Sequence, residues 1–265
     1  MVAGMLDLRR IGLFTRDDDQ DYRLSHIERL FQRTNIDLVL DAGSAAPGTL
    51  DLVIALGGDG TVLRALGAHP GTPVLAVNFG NVGFLTQADR EHFDNVLVRL
   101  LSDDYKIGER LSLEISHQGR QWRAINEVVL KGHAHMIEVE IAINGALVHT
   151  PRGDGVIVGT PTGSTAYLLS TGAPIVTPEV DCILLKPLNE YSFSSRSIIV
   201  AGSTAIDLTV LQGREAEVTM VIDGAQRGVV AFGEPIEVRR SEVPARLVYF
   251  EDDYFFRNLK ERLRW

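Results

Sequence analysis

Gly57-Gly58-Asp59-Gly60-Thr61 is the stretch of this chain with the densest potential chemistry. It follows the apolar run Leu52–Leu56 and precedes the helical Val62–Leu66, so it reads as the turn at the carboxyl end of a strand that opens a helix. Gly57, Gly58 and Gly60 let a ligand approach the backbone closely, the amides at the helix start suit phosphate, and Thr61 adds a hydroxyl. The loop has neither the Gly-Lys-Ser/Thr ending of a Walker loop nor the glycine spacing of the dinucleotide fingerprint. Its distinguishing feature is the carboxylate of Asp59. Among phosphates a carboxylate adds repulsion unless it binds a metal, accepts the proton of an incoming hydroxyl, or does both; phosphoryl transfer fits that chemistry best. An ordinary strand-to-helix turn is the plainer reading of the loop taken alone.

A second cluster runs Arg152-Gly153-Asp154-Gly155, then apolar Val156–Val158, then Gly159-Thr160-Pro161-Thr162-Gly163-Ser164-Thr165-Ala166-Tyr167. It also reads strand, turn, helix. Ser164 or Thr165 can cap the helix, while Thr160 and Thr162 supply small hydroxyl donors; such a helix start suits sugar or phosphate, with a well-capped turn as the alternative. Tyr167 either stacks on a base or fills core. Asn126-Glu127, ahead of Val128-Val129-Leu130, offers an amide and a carboxylate to ribose hydroxyls or an adenine edge, against the plainer reading of a solvated strand end. His133 and His135 read as neighbours on one strand face, without the Cys partner or further His that a zinc site needs.

These groups need positioning elements. Ile11–Phe14, Ile36–Leu40, Leu52–Leu56 and Val74–Val77 read as strands, alternating with helices over Asp21–Gln32 (Tyr22, Ile27, Leu30 and Phe31 on one side) and Glu91–Leu101 (Phe93, Val96, Leu97 and Leu100). Strand, helix, strand implies a parallel sheet. Beyond about Asp104 the period switches to two, in Leu111–Ile115, Met136–Ile143, Val218–Ile222 and Ile236–Arg239, with Asn144-Gly145 as a hairpin turn. The end, Asp252–Trp265, is helical again: Tyr254, Phe255 and Leu259 are placed to pack, and Lys260, Arg262 and Arg264 suit the dipole. The expected architecture is an α/β amino-terminal domain, residues 1–104 joined by the helix of 251–265, plus a β-rich carboxyl-terminal domain, 105–250. The default ligand site is the cleft between them.

The balance of Lys+Arg 26 against Asp+Glu 35, net −9 with a pI near 5.3, gives no basic field to draw the chain onto nucleic acid or an anionic membrane. An anionic substrate therefore requires local cations, from Lys/Arg side chains or a divalent metal. The lone Cys182, in the apolar run Cys182–Leu185, reads as a core thiol; no apolar run reaches the length of a membrane span, and Met1–Gly4 leads into charge without a signal-peptide core. A cytoplasmic location is expected.

Taken together, these residues resemble the NAD kinase family, ATP-dependent enzymes that phosphorylate the adenosine ribose 2′-hydroxyl of NAD to make NADP. The resemblance rests on Gly57–Gly60, Asn78-Phe79-Gly80-Asn81-Val82-Gly83-Phe84-Leu85, Asn126-Glu127, and Asp154-Gly155 followed by Thr160–Tyr167, in the family's order, and covers roughly Leu52 to Gln226. It implies a two-domain fold with NAD between an α/β and a β-rich domain. It implies Asp59 as the base facing the 2′-hydroxyl, Gly57, Gly58, Gly60 and Thr61 as the phosphate loop, and Gly60 and Arg64 near the phosphates. By the same matching Asn126 and Glu127 hold the adenosine ribose, and His135, Arg152, Asp154, Thr162, Thr165, Ala166, Tyr167, Leu168, Leu169, Ser170 and Gln226 complete the pocket. Magnesium or another divalent cation is implied by ATP rather than by a ligand cage, and a homodimer or homotetramer by the family's habit. The chain departs from the family at Glu190-Tyr191-Ser192-Phe193-Ser194-Ser195-Arg196-Ser197, where a Pro-His-Ser segment before Arg-Pro is usual, and at Asp223-Gly224-Ala225-Gln226, one residue longer than Asp-Gly-Gln. Two rivals share parts of this pattern: a lipid or sphingoid kinase with the same Gly-Gly-Asp-Gly-Thr loop, and a noncatalytic dinucleotide sensor.

Overall fold

The computed structural model describes residues 6–15, 21–78, 83–88, 92–192, 195–213 and 218–265, without the side chains of 21–25 and 212–213. Phe79–Val82 of the motif above, Glu91, Phe193, Ser194, Met1–Gly4 and the Tyr22 side chain lie outside the described residues. In chain order the strands are β1 (Arg10–Thr15), β2 (Asp37–Val39), β3 (Leu52–Leu56), β4 (Val74–Val77), β5 (Lys106–Arg110), β6 (Leu113–His117), β7 (Arg120–Ala124), β8 (Glu127–Lys131), β9 (Ile137–Ile143) and β10 (Ala146–His149). Then follow β11 (Arg152–Gly153), β12 (Gly155–Gly159), β13 (Cys182–Leu188), β14 (Ile198–Ala201), β15 (Ile206–Gly213), β16 (Val218–Ile222), β17 (Ala225–Val230), β18 (Pro235–Arg240) and β19 (Ala245–Tyr249). The helices are α1 (Asp21–Phe31), α2 (Asp59–Ala68), α3 (Phe93–Leu101), α4 (Tyr167–Ser170) and α5 (Tyr254–Leu263). Two compact units result, Met1–Glu109 with Val243–Trp265, and Arg110–Glu242.

The first unit is built on one sheet of order β2-β1-β3-β4-β19-β5, parallel from β2 through β19. Its strands β3 and β4 are buried along their whole length, as expected where helices cover both faces. Helix α3 buries Phe93, Val96, Leu97 and Leu100, one face at helical spacing, in a core shared with Leu52, Ile54, Ile27 and Phe250. Strand β1 is flanked by β2 on one side and β3 on the other, so chain connections diverge between β1 and β3. Ligands of open α/β sheets bind at such a switch point, beyond the carboxyl ends of the strands, and the Gly57 loop leaves β3 there. Strands β5 and β19 were not singled out in the sequence; β19 reaches its place by pairing Leu247 with Val74.

The second unit holds two sheets, β10-β9-β15-β18-β6-β7 and β14-β13-β12-β8-β16-β17. Their facing sides form one core that includes Leu113, Ile115, Val139, Ile141, Val128, Leu130, Val156 and Val158. Strands β8, β12 and β13 of the second sheet are buried on both faces, because Val129, Ile157, Cys182 and Leu184 on the other side pack with Leu168 and Ala173. That double burial explains why these strands read as unbroken apolar runs, and it makes Cys182 a buried core thiol. Asn144 (φ 50) and Gly145 (φ 79) form the hairpin turn their sequence demands.

Candidate active site

Gly57 adopts φ +152, and a Cβ there would come within 2.5 Å of the Thr61 hydroxyl. The glycine thus lets β3 turn directly into α2, where Gly58 is the amino-terminal cap and Asp59 and Gly60 form the first turn. The amides of Thr61 and Val62 return to the Gly58 carbonyl, while helix geometry leaves the preceding amides without an intrahelical acceptor, and Gly58 and Gly60 are exposed residues. Arg64 is exposed, with its guanidinium 3.4 Å from Thr61 Oγ1, so a cation stands beside the loop.

The Asp59 carboxylate is held at both oxygens. Oδ2 accepts the amide of Phe84 at 2.9 Å and Oδ1 that of Leu85 at 3.1 Å. A Cβ on Gly83 would overlap Asp59 Oδ1, so only glycine lets this segment close on the carboxylate. The turn is tied off by Thr86, whose hydroxyl accepts the Gly83 amide at 2.9 Å.

In the second unit Asn126 and Glu127, both buried, occupy a corner clamped from two sides. Asp223, in the left-handed turn before Gly224, accepts the amides of Ile125, Asn126 and Glu127 at 2.8, 2.8 and 3.1 Å. Thr160 donates its amide to the Asn126 carbonyl and its hydroxyl to that of Ile125 at 2.6 Å. The Thr160 hydroxyl, expected as a ligand donor, is therefore spent on the fold. Gly163 packs so tightly that a Cβ would overlap the Asn126 carbonyl. Glu127 Oε2 is buried with no hydrogen-bond partner. Burial first, then the Asp223 charge, push the Glu127 carboxyl up to about 8, against the lowering effect of the Tyr167 amide. Burial also raises Asp223, opposed by its three amides and by Arg123. The solvated-strand-end reading of Asn126-Glu127 is thus excluded by burial.

Residues 160–170 fold differently from the capped helix expected of them. Thr162–Thr165 is a single 3-10 turn, α4 spans only Tyr167–Ser170, and neither helix has a side-chain cap. Ser164 instead pairs with the backbone of Val176, and the Thr165 hydroxyl donates to Thr162. Leu168 is fully buried in the core, so any ligand contact it makes runs through its backbone. Tyr167 is 44% exposed, which removes the core-filling alternative. Tyr167 lines a cavity of about 650 Å³ with His135, Asp154 and Ser170, bringing four sequence-singled residues together. Lys131 and Lys186 line the same cavity. They put two local cations at the cavity, and nothing in a lone lysine beside an apolar run could have announced them.

The remaining residues lie apart from that cavity's wall. Thr162 is buried, Ala166 and Leu169 are half-buried, and Arg152 and Gln226 are exposed on β11 and β17. The divergent segment contributes Glu190 to the cavity; its Oε1 pairs with His149 at 2.8 Å and its Oε2 is buried without a partner. Asn189 donates to Asp154 Oδ2 at 2.7 Å, orienting that carboxylate. His133 and His135 lie in a bend rather than on a strand, and His133 Nε2 meets Thr219 Oγ1 at 2.6 Å. Among the described residues no group of three His, Cys, Asp or Glu side chains is placed to hold a metal, and both Asp59 oxygens already accept amides.

A switch-point loop that fixes a carboxylate on the first turn of a helix suits a phosphotransferase. Comparisons with known proteins specify which. A family model described as the ATP-NAD kinase N-terminal domain matches residues 15–105, and one described as the ATP-NAD kinase C-terminal domain matches 125–250. An NAD kinase of Heliobacterium modesticaldum is 39% identical over 224 residues, covering 81% of this chain and 79% of its own. One from Methanothermobacter thermautotrophicus is 36% identical over 80% of this chain and 76% of its own. The crystal structure of an NAD kinase from Archaeoglobus fulgidus in complex with ATP superposes with a TM-score of 0.80 at 28% identity, over 96% of this chain and 98% of that one. Yeast NADH kinase complexed with NADH has the same fold, with a TM-score of 0.87 at 23% identity over 97% and 88% of the two chains. The chain belongs to the ATP-NAD kinase family.

Proposed function

We propose that this protein transfers the γ-phosphate of ATP, or of another phosphoryl donor, to the 2′-hydroxyl of the adenosine ribose of NAD, yielding NADP. The observation that carries this reading is the Asp59 carboxylate, held at both oxygens on the first turn of a helix that a glycine-rich loop opens. The exposed amides of that loop and Arg64 receive phosphate oxygens. Asp59 orients the attacking hydroxyl and takes its proton as the bond to phosphorus forms. A loose transition state asks little basicity of that group, so placement matters more than pKa. Glu127 Oε2 and the Asn126 side chain are the polar groups for the adenosine, since a buried carboxyl oxygen without a partner is satisfied by a ribose hydroxyl, which can both donate and accept. The cavity of Tyr167, Ser170, His135 and Asp154 offers a stacking ring and polar partners to the rest of the dinucleotide. The divalent cation arrives as part of the substrate, chelated by the triphosphate and its own waters, as magnesium commonly does. Nothing favours a lipid acceptor or a noncatalytic sensor.

The test is NADP formation by purified protein with NAD, ATP and Mg²⁺, beside Asp59→Asn. The variant is expected to bind NAD within a few-fold of wild type and to turn over roughly 10²-fold or more slowly. Near-normal turnover would remove Asp59 from the role of base. We further propose a homodimer or homotetramer, supported by the exposed Leu147 and Val148 of edge strand β10; light scattering that finds only a 29.1 kDa species overturns this. We also propose a cytoplasmic location; recovery in a membrane or secreted fraction would count against it. No described helix is long and apolar enough to cross a membrane.

A further inference from the structure

Asn258 is a polar residue only 4% exposed, on the inner face of α5 between the apolar Phe255 and Leu259. Its Nδ2 lies 3.2 Å from the Gly83 carbonyl, 3.4 Å from that of Phe84 and 3.2 Å from that of Thr86. Two of these carbonyls belong to particular peptide groups. Gly83 C=O shares its planar peptide with the Phe84 amide, and Phe84 C=O shares its own with the Leu85 amide. Those are the two amides that hold Asp59 Oδ2 and Oδ1. A trans peptide is rigid, so an amide gripped at its carbonyl end points its N–H in a fixed direction. A hydrogen bond accepted at the carbonyl also polarises the N–H and strengthens the bond it donates. The chain of contact therefore runs from α5 through two peptide planes to both oxygens of one carboxylate.

From this geometry we infer that Asn258 is a positioning residue for phosphoryl transfer, acting on Asp59 through the peptide groups 83–84 and 84–85. The inference rests on Asp59 being the group that faces the attacking hydroxyl. A second tie from the same helix, Arg262 stacked 5.7 Å over the Phe84 ring, helps to seat the segment. Few other side chains fit the position. Leucine matches the size but leaves the carbonyls without their donor, and aspartate presents an acceptor to acceptors.

The experiment is steady-state NADP formation by Asn258→Leu, Asp59→Asn and the double variant, with far-UV circular dichroism and thermal unfolding as checks on the fold. Asn258→Leu is expected to lower kcat by roughly 10-fold or more, the scale of losing general-base alignment, with KM for NAD and ATP within about 3-fold. In the Asp59→Asn background the same substitution is expected to cost less than about 2-fold, because the group it positions is gone. Should Asn258→Leu fail to fold, Asn258→Asp takes its place: its kcat relative to wild type rises as the pH is lowered and a protonated carboxyl again donates. A folded Asn258→Leu with normal kcat, an equal loss in both backgrounds, or a flat relative pH profile for Asn258→Asp overturns the inference while Asp59→Asn keeps only its slow residual turnover. Normal turnover by Asp59→Asn instead overturns the reading on which it rests, and the inference with it.

Discussion

Both units of this chain fix a carboxylate with backbone amides, but to opposite ends. In the first unit the gripped carboxylate is Asp59, the group assigned to the chemistry, and two amides restrain it without enclosing it. In the second unit the gripped carboxylate is Asp223, which acts on the backbone of Ile125–Glu127, while the neighbouring Glu127 keeps a buried oxygen without a partner. On the proposed reading, one arrangement aims a reactive group and the other shapes a binding corner. The difference follows from what each task tolerates: a base must be placed to a fraction of an ångström, whereas a recognition group must stay unsatisfied until the ligand arrives.

Three changes sharpen or break that contrast. The largest effect is expected from Gly83→Ala, whose Cβ overlaps Asp59 Oδ1 and must push the carboxylate aside. Turnover should fall by roughly 10²-fold, as for loss of the base, with unfolding stability changed by about 1 kcal/mol. Wild-type kcat in this variant would show that Asp59 works from another position. Next comes Asp223→Ala, which strips the acceptor from three amides and is expected to cost about 2 kcal/mol in denaturant unfolding together with a raised KM for NAD. Asp223→Asn, which retains one carbonyl oxygen, should recover part of both; equal losses in the two variants would argue that charge rather than hydrogen bonding shapes the corner.

The mildest effect on turnover is expected from Glu127→Gln, within a few-fold at neutral pH, because the carboxyl there mostly carries its proton already. Its signature is in stability. The folded carboxyl holds a proton up to about 8, while an unfolded glutamate releases it near 4.5. The stability this gives is therefore full below about 4.5 and is lost as the pH climbs through about 8. Wild type should lose stability relative to Glu127→Gln across that window, read from denaturant midpoints at several pH values. Parallel curves would place the Glu127 carboxylate in contact with water.

What could be read without coordinates was local. The strand before Gly57, the glycines, and the helix after Thr61 are contiguous, so the loop declared itself; so did Asn144-Gly145 and the one-sided face of α3. What escaped was long-range. Asn258 sits on a face whose apolar neighbours announce packing, and its role appears only when residues 83–86 fold against it, more than 170 positions away. Thr160 was read as a hydroxyl offered to a ligand, yet the same hydroxyl closes the Ile125 carbonyl across 35 positions. The helix cap expected from Ser164 or Thr165 is made by neither, because the backbone of Val176 claims Ser164 and the Thr162 carbonyl claims Thr165. Hydroxyls advertise hydrogen bonding without naming the partner.

Strand β19 enters the first sheet between β4 and β5, and α5 follows it, although both lie at the far end of the sequence. During synthesis, Val74 emerges from the ribosome long before its partner Leu247, and the turn that holds Asp59 emerges long before Asn258. The second unit therefore has all of its strands available while the first still lacks two of its parts. Order of manufacture thus sets the order of assembly: the turn around Asp59 gains its contact with Asn258 only after every strand of the second unit has been made.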